Sequence, residues 1–310
     1  MTPDLVSELL DLMNARSVLS GGLLAGGAWA IRFPPSTQLK FWGIQRGRAW
    51  IVFEGRPPLR AEAGDVFLFH GAGPQLLASD LDAEPVPLAQ VAAARLGAMN
   101  HHGDGNEFLM FGGKVELDAG CEPLLFAGLP PLIYLPGQEK RTGAIHWVLE
   151  RLVQERDAAL PGWQQAGVQL AHLMFIGILR VWLADPDQPG QPGSGLLRAA
   201  GDPRLAPALR LMHGAPGRAW RLAELAQAAA MSRASFALRF KRVAGTSPLH
   251  YLTALRMRLA QKQLRSSGAS LAQLAETFGY ASESAFSNAF KRVLGQAPST
   301  YRAALRDAGR

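Results

Sequence analysis

Two stretches offset by 50 residues, FALRFKRVAGTSPLHY at 236–251 and FSNAFKRVLGQAPSTY at 286–301, fit one template, F-x3-F-K-R-V-x-G-x2-P-x2-Y. Each joins aromatic residues at helical core spacing to an adjacent cationic pair, Lys241-Arg242 and Lys291-Arg292. Their chemistry is electrostatic: fixed cations on an apolar-backed helix suit phosphate groups. A second set is of the metal-ligating kind. His101, His102, Cys121 and Glu122 hold donors for a small zinc site, but they are spread over 22 positions, and HHGDG reads better as a turn. A third set is aromatic. Trp29, Trp42 and Trp50 lie in predicted strands, where such side chains build core; Trp42 and Trp50, with His70, are the candidates to line a pocket for a small apolar or aromatic effector. No nucleophile elbow, P-loop or dinucleotide fingerprint stands out, and GGLLAGG lacks the Lys-Ser/Thr of a phosphate cradle.

The elements that must position the doubled template are legible around it. LAELAQAAAMSRAS leads into Phe236 and LAQLAETFGYASES into Phe286. Each is a short helix, a short turn, and a serine (Ser232, Ser282) placed to cap a second helix. Helix, turn, helix is a DNA-binding unit, here in two copies joined by a helix containing YLTALRMRLAQKQLRSS. Projected at about 100° per residue, Phe236, Phe240 and Val243 fall on a core face, as do Phe286, Phe290 and Val293. The opposite faces carry Ala234, Ala237, Leu238, Lys241 and Arg242 in the first copy, and Ser284, Ser287, Asn288, Lys291 and Arg292 in the second. Short or amide side chains in front, with Lys-Arg at one end, suit a major groove. Arg233 and Arg239 lie to the sides, in reach of the backbone or a flanking base, and Glu283 sits at a helix start, where it suits the helix dipole and can accept from a cytosine amino group. Gly245 and Gly295 fall where a helix end wants positive φ.

Charge follows the same division. Residues 201–310 hold 17 Lys and Arg against 5 Asp and Glu, a net of +12, whereas the first 200 residues net −5. Such a tail calls for a polyanion. The single cysteine excludes an intrachain disulfide and fits a reducing compartment. No apolar leader is expected at the start, and the longest apolar stretch, HLMFIGILRVWLA, is broken by Arg180, so no membrane span is expected.

Residues 1–20 read as a short amphipathic helix with Leu5, Leu9, Leu12 and Met13 on one side. From Leu23 to about Pro136, short apolar runs cut by Gly and Pro predict a sandwich or barrel. Two helices follow, joined near Pro161-Gly162, with stripes Ile145–Val153 and Met174–Trp182. DPDQPGQPGSG reads as a linker. The expected organisation is a sensor domain at 1–138, a helical dimerisation segment at 139–184, a flexible linker at 185–203 and a DNA-binding domain at 204–310.

At the level of motifs, 204–306 resembles the DNA-binding domain of the AraC/XylS family of bacterial transcription regulators, most closely in ETFGYASESAFSNAFKRVLGQAPSTYR. The first 180 residues resemble the cupin-type sensor half of one branch of that family, through GDVFLFHGAGPQLL, HHGDG and LDAGCEPLLFAGLPPLIYL. The resemblance implies an α+β multidomain chain: a cupin-like β-barrel that senses a small molecule and often dimerises, followed by an all-α tandem helix-turn-helix domain. The early strands lack the histidines of a metal-binding cupin, and His70 stands where the pattern usually shows a turn proline. The reading is therefore a cytoplasmic, sequence-specific, homodimeric transcription regulator that acts on double-stranded promoter DNA, with RNA polymerase a candidate partner and no cofactor. The alternatives are a cupin oxygenase or isomerase tethered to DNA, and an architectural DNA binder with no effector.

Overall fold

The computed structural model describes residues 4–71, 73–91, 99–138, 140–184 and 194–308. These residues form two compact units: a barrel unit of 15–117 and 129–184, and a helical unit of 4–14, 118–128 and 194–308.

Alternation of buried and exposed side chains makes strands of the barrel unit. In RAWIVF, Ala49, Ile51 and Phe53 turn inward while Arg48, Trp50 and Val52 turn out. The strands are β1 (Arg16–Ala25), β2 (Ala30–Arg32), β3 (Leu39–Arg46), β4 (Arg48–Phe53), β5 (Leu59–Glu62), β6 (Val66–Phe69), β7 (Pro74–Ala78), β8 (Pro85–Pro87), β9 (Met99–His102), β10 (Phe108–Glu116) and β11 (Leu132–Leu135). They form a six-stranded sheet in the order β11-β6-β3-β10-β1-β9 and a five-stranded sheet in the order β5-β4-β7-β2-β8. The core lies between them, built from Leu23, Trp42, Ile44, Phe67, Phe69 and Phe108 of the first sheet and Ile31, Ile51, Phe53 and Leu77 of the second. Asp65 is buried at the turn before β6, where its carboxylate accepts hydrogen bonds from the Glu62 and Gly137 amides and the Tyr134 hydroxyl.

In sequence terms, residues 1–20 read as one helix; the structure divides them. Helix α1 (Leu5–Leu12) ends before Asn14, whose φ of +51° is left-handed, and β1 begins at Arg16. The ladder to β10, from Arg16↔Glu116 to Ala25↔Phe108 with a bulge after Leu19, offers residues 16–19 backbone partners that outweigh any helical preference.

The two helices on either side of Pro161-Gly162 are present as α4 (Gly143–Ala158) and α5 (Trp163–Leu183), after a short helix α2 (Leu88–Val91) and a helix α3 (Glu122–Phe126) of the helical unit. They cover the outer face of the six-stranded sheet, with α4 on β3 and α5 on β1 and β6. Gly43 of β3 leaves room for Leu149, since a Cβ there would overlap its side chain. Ile145, Val148, Leu149, Leu152, Met174, Phe175, Ile178, Leu179 and Trp182 are all buried. Part of these stripes was expected to form a contact between protomers; here the stripes are buried against each other and their own sheet. By length and composition alone α5 could cross a membrane, at mean hydropathy 1.6 over its most apolar window, despite Arg180. Its buried stripe gives it the packing of a core helix.

The helical unit contains α1, α3, α6 (Leu196–Gly201), α7 (Ala206–Gly214), α8 (Leu222–Ala228), α9 (Arg233–Ala244), α10 (Pro248–Ser266), α11 (Leu271–Thr277), α12 (Glu283–Leu294) and α13 (Pro298–Ala308). Its extent differs from the boundaries read in the sequence. Residues 4–14 and 118–128, expected in the sensor, belong to it, and 196–201, expected as linker, is a helix with Leu196 and Leu197 buried. The rest of the linker, 185–193, lies outside the described residues.

Helix α1 buries Leu5, Leu9, Leu10 and Leu12, and packs on α6, α7 and α10. Polar contacts surround that seam. His213 Nδ1 lies 2.7 Å from Glu8 Oε2, its Nε2 meets the Tyr251 hydroxyl, and Lys262 Nζ reaches Asp11 at 2.5 Å. Burial pushes the His213 imidazole below its ordinary pKa, with Glu8 acting in the opposite sense. The 118–128 segment is held by two arginines of α10. Arg265 pairs with Asp118, and buried Arg258 donates to the carbonyls of Ala119 at 3.1 Å and Gly120 at 2.5 Å. Burial works against the Asp118 carboxylate, but hydrogen bonds from Arg265 and Asn14 and the charges of Arg265 and Arg258 outweigh it and hold its pKa below the usual range.

Candidate nucleic-acid interface

The doubled template becomes two copies of one local structure. Ser232 caps α9 by accepting from the Ser235 amide at 3.2 Å, and Ser282 caps α12 by accepting from the Ala285 amide at 3.1 Å. In each helix the two phenylalanine rings meet at an angle, Phe236 edge-on to Phe240 at 5.7 Å and Phe286 tilted against Phe290 at 5.9 Å between ring centroids. The template tyrosines complete both aromatic clusters, with Tyr251 tilted at 5.8 Å from Phe240 and Tyr301 tilted at 6.0 Å from Phe290. All four phenylalanines are fully buried. Both helices end on glycine, Gly245 at φ +76° and Gly295 at φ +79°, a conformation that a Cβ would strain. The next helix starts at Pro248 or Pro298. The template is thus one structural sentence: cap, aromatic core, cationic last turn, glycine stop, proline restart.

With the core face fixed, the outward face follows. On α9, Arg233, Ala234, Leu238, Lys241 and Arg242 are exposed, and on α12, Glu283, Ser284, Asn288, Lys291 and Arg292. Ala237 and its counterpart Ser287 are half-buried at the margin. Leu238 is 72% exposed, so it is no part of any core in this chain and is free to meet an apolar group such as a thymine methyl. Ser235 and Ala285 also lie on these exposed faces, three residues before Leu238 and Asn288. The same 100° projection places them on this face.

Electrostatics separate the cations by role. Arg239 is committed within the unit: its Nε and Nη2 donate to Asp202 Oδ2 at 3.1 and 2.7 Å. It therefore anchors α9 to the turn between α6 and α7 instead of reaching outward. Arg256, Arg258, Lys262, Arg265 and Arg302 likewise hold protein acceptors. Among the described residues, no ion pair or hydrogen bond engages the side chains of Arg233, Lys241, Arg242, Lys291 or Arg292. The net charge of the C-terminal region is thus part internal mortar and part open cation, and the open part includes the Lys-Arg pairs of the two last turns.

The other candidate sites fare differently. Trp42 is buried in the barrel core against Phe33 and edge-on to Phe69. Trp50 lies on the outer side of β4 under the Arg60 guanidinium, and His70 Nε2 is 3.2 Å from the Leu129 carbonyl. None of the three lines the barrel's open cavity of about 650 Å³, whose walls include Trp29, Phe108, Arg48, Glu62, Ser79 and Glu107. His101 and His102 belong to the barrel unit, Cys121 and Glu122 to the helical unit. Cys121 is fully buried, and burial pushes its thiol above the ordinary pKa, away from the thiolate a metal requires. Among the described residues, no group of three or more His, Cys, Asp or Glu is arranged to hold a metal ion.

Comparison with known proteins agrees with this geometry. A Cupin family model matches residues 4–184 and a Helix-turn-helix domain model matches 225–304. The chain is 37% identical over 283 residues to a protein of Streptomyces antibioticus described as an AraC-like transcription regulator, covering 91% of this chain and 92% of that one. It is 34% identical to the RCS-specific HTH-type transcriptional activator RclR of Escherichia coli, over 91% of each chain. Among solved structures, the DNA-binding domain of AdpA in complex with a target DNA is 33% identical, with a TM-score of 0.33, and covers 34% of this chain and 96% of that domain.

Proposed function

Because the chain belongs to the AraC-like transcription regulators and is a sequence-specific DNA-binding protein of that type, we propose that α9 and α12 are its two reading helices and that they divide the work unequally. One observation supports this above the rest. Two capped helices of equal construction carry unpartnered Lys-Arg pairs, yet differ on their outward faces. Helix α12 offers Ser284 and Asn288, which can hydrogen-bond base edges, with Asn suited to adenine in bidentate fashion. Helix α9 offers Ala234 and Leu238, which can give only apolar contact, and Ser235, whose hydroxyl is already engaged by Ser232 Oγ at 2.9 Å. The second copy discriminates by hydrogen bonds; the first positions the protein and prefers T-rich steps. With Arg239 held by Asp202, no arginine from the middle of α9 competes for a guanine.

Asn288→Ala is expected to cost about 1–3 kcal/mol on the cognate site and to relax one base position. Selection from randomised half-sites measures both. A fixed guanine and higher information in the half-site under α9 would reverse the assignment.

We also propose that the barrel binds a small effector in the cytoplasm. Support comes from the open cavity, whose size suits a small molecule and whose aromatic floor, Trp29 and Phe108, is rimmed by charged and hydroxyl groups. The protein acts as a regulator and not as an enzyme, in keeping with the names of its relatives. For assembly, the buried stripes are no longer available, and the large apolar side chains left exposed on α4 and α5 are Trp147, at 56%, and Leu173, at 40%. If these join two copies, Trp147→Lys will turn a dimer into a monomer in sedimentation at micromolar concentration; a wild-type monomer with and without DNA would end the dimer proposal.

A further inference from the structure

The two helix-turn-helix copies have separate cores, yet they meet at one tight seam. Helix α10 serves both. Its first turns bring Tyr251 to Phe240 of the first copy, and its later residues Met257, Ala260 and Leu264 enter the core of the second. Beside it, the loop ahead of α8 lies against the turn between α11 and α12. There, Gly217 and Gly279 pack backbone on backbone: a Cβ on Gly217 would overlap the Thr277 carbonyl oxygen, and one on Gly279 would overlap that of Gly217. Gly279 also sits at φ +74°. Arg256 of α10 secures the seam. Its Nε donates to the Pro216 carbonyl at 2.6 Å and its Nη2 to the Arg218 carbonyl at 2.8 Å, and its guanidinium lies 5.8 Å from the centre of the Tyr280 ring. The loop itself is stiffened by Trp220, whose indole donates to the Ala215 carbonyl at 2.9 Å while Arg218 stacks on the ring at 3.9 Å.

The seam is well placed to set geometry. Residues 279–282 run from Gly279 straight to the cap of α12, so a shift there moves the second reading helix relative to the first. Two helices reading one duplex must match it in separation and in rotation, about 34° per base pair at 10–10.5 base pairs per turn.

We propose that Gly217, Gly279 and Arg256 are positioning residues that fix the spacing between the two half-sites this protein accepts. They act through α9 and α12, touching no base, and the proposal rests on the reading of those helices given above. Gly217 must lack a side chain for the loop and turn to close, and Arg256 needs a fork that spans two carbonyls, which a lysine cannot reproduce.

The test uses the full-length chain and a DNA library in which the two half-sites are separated by every spacing over one helical turn. Wild type is expected to show one sharp optimum. Gly217→Ala and Arg256→Gln are expected to shift or broaden it, with at least a tenfold loss of discrimination against spacings one base pair away. Base preference within each half-site and affinity for the isolated α12 half-site stay as in wild type. Arg256→Lys should recover less than half of the lost discrimination. Should Gly217→Ala fail to fold, Arg256→Gln, a half-buried position, carries the test alone. A folded Arg256→Gln with an unchanged spacing profile would overturn the proposal, as would a wild type indifferent to spacing. Loss of base preference in Asn288→Ala at an unchanged spacing optimum separates a fault in the seam from a fault in the helix assignment.

Discussion

Replacing Leu9 with alanine is expected to destabilise the DNA-binding unit by about 2–5 kcal/mol, the range for a large-to-small change in a packed core. Leu9 is 2% exposed, on a helix that packs against α6, α7 and α10. The effect should therefore appear more than 190 residues away in sequence. Hydrogen exchange resolves it: protection should fall across α7 and α10, while β3 and β4 keep theirs. Arg258→Met should act on the same unit. It keeps much of the volume but removes the donor to the Ala119 and Gly120 carbonyls and leaves the buried Gln261 amide oxygen unmet, at about 1–3 kcal/mol for that buried group. Protection lost in the barrel strands instead would show that α1 does not belong where its contacts place it.

Salt is expected to weaken DNA binding about a thousandfold between 50 and 200 mM. With roughly six phosphates neutralised, log K falls against log[salt] with a slope near −5. The open cations supply five of the roughly six contacts. Lys241, Arg242, Lys291 and Arg292 stand exposed at the ends of the two reading helices, and Arg233 adds a fifth. Lys291→Ala should weaken all sequences about equally and make the slope shallower by about one. Titration of a specific duplex by fluorescence anisotropy at several salt concentrations checks both. A slope shallower than about −2 would contradict docking anchored on phosphates.

What could be read beforehand follows the range of the forces involved. Caps, glycine stops and the aromatic spacing of α9 and α12 are local, so Ser232, Ser282, Gly245 and Gly295 carried their roles in their immediate neighbours. The twofold occurrence of the template made the reading stronger than either copy alone. Partners distant in sequence left no such trace. Asp11 with Lys262 and Asp118 with Arg265 are pairs separated by 251 and 147 residues, and no periodicity links them. The same holds for Arg239, whose place on the helix was legible but whose Asp202 partner was not. Trp42 and Trp50 were sound as strand residues; which side of the sheet faces a cavity depends on how two sheets close, and the alternation within one strand does not encode that. The stripes of α4 and α5 were legible as apolar, but an apolar stripe suits a sheet and a second copy equally well.

The N-terminal helix also has a history during synthesis. Its leucines are buried by α6, α7 and α10, which begin at Leu196, Ala206 and Pro248. At roughly 5–20 residues per second on the ribosome, α1 emerges on the order of ten to fifty seconds before its last partner exists. For that interval an amphipathic helix with no place to pack trails from the growing chain. Helix α1 is thus made well before the helices that bury it, and the nascent protein offers chaperones an apolar segment until the helical unit is complete.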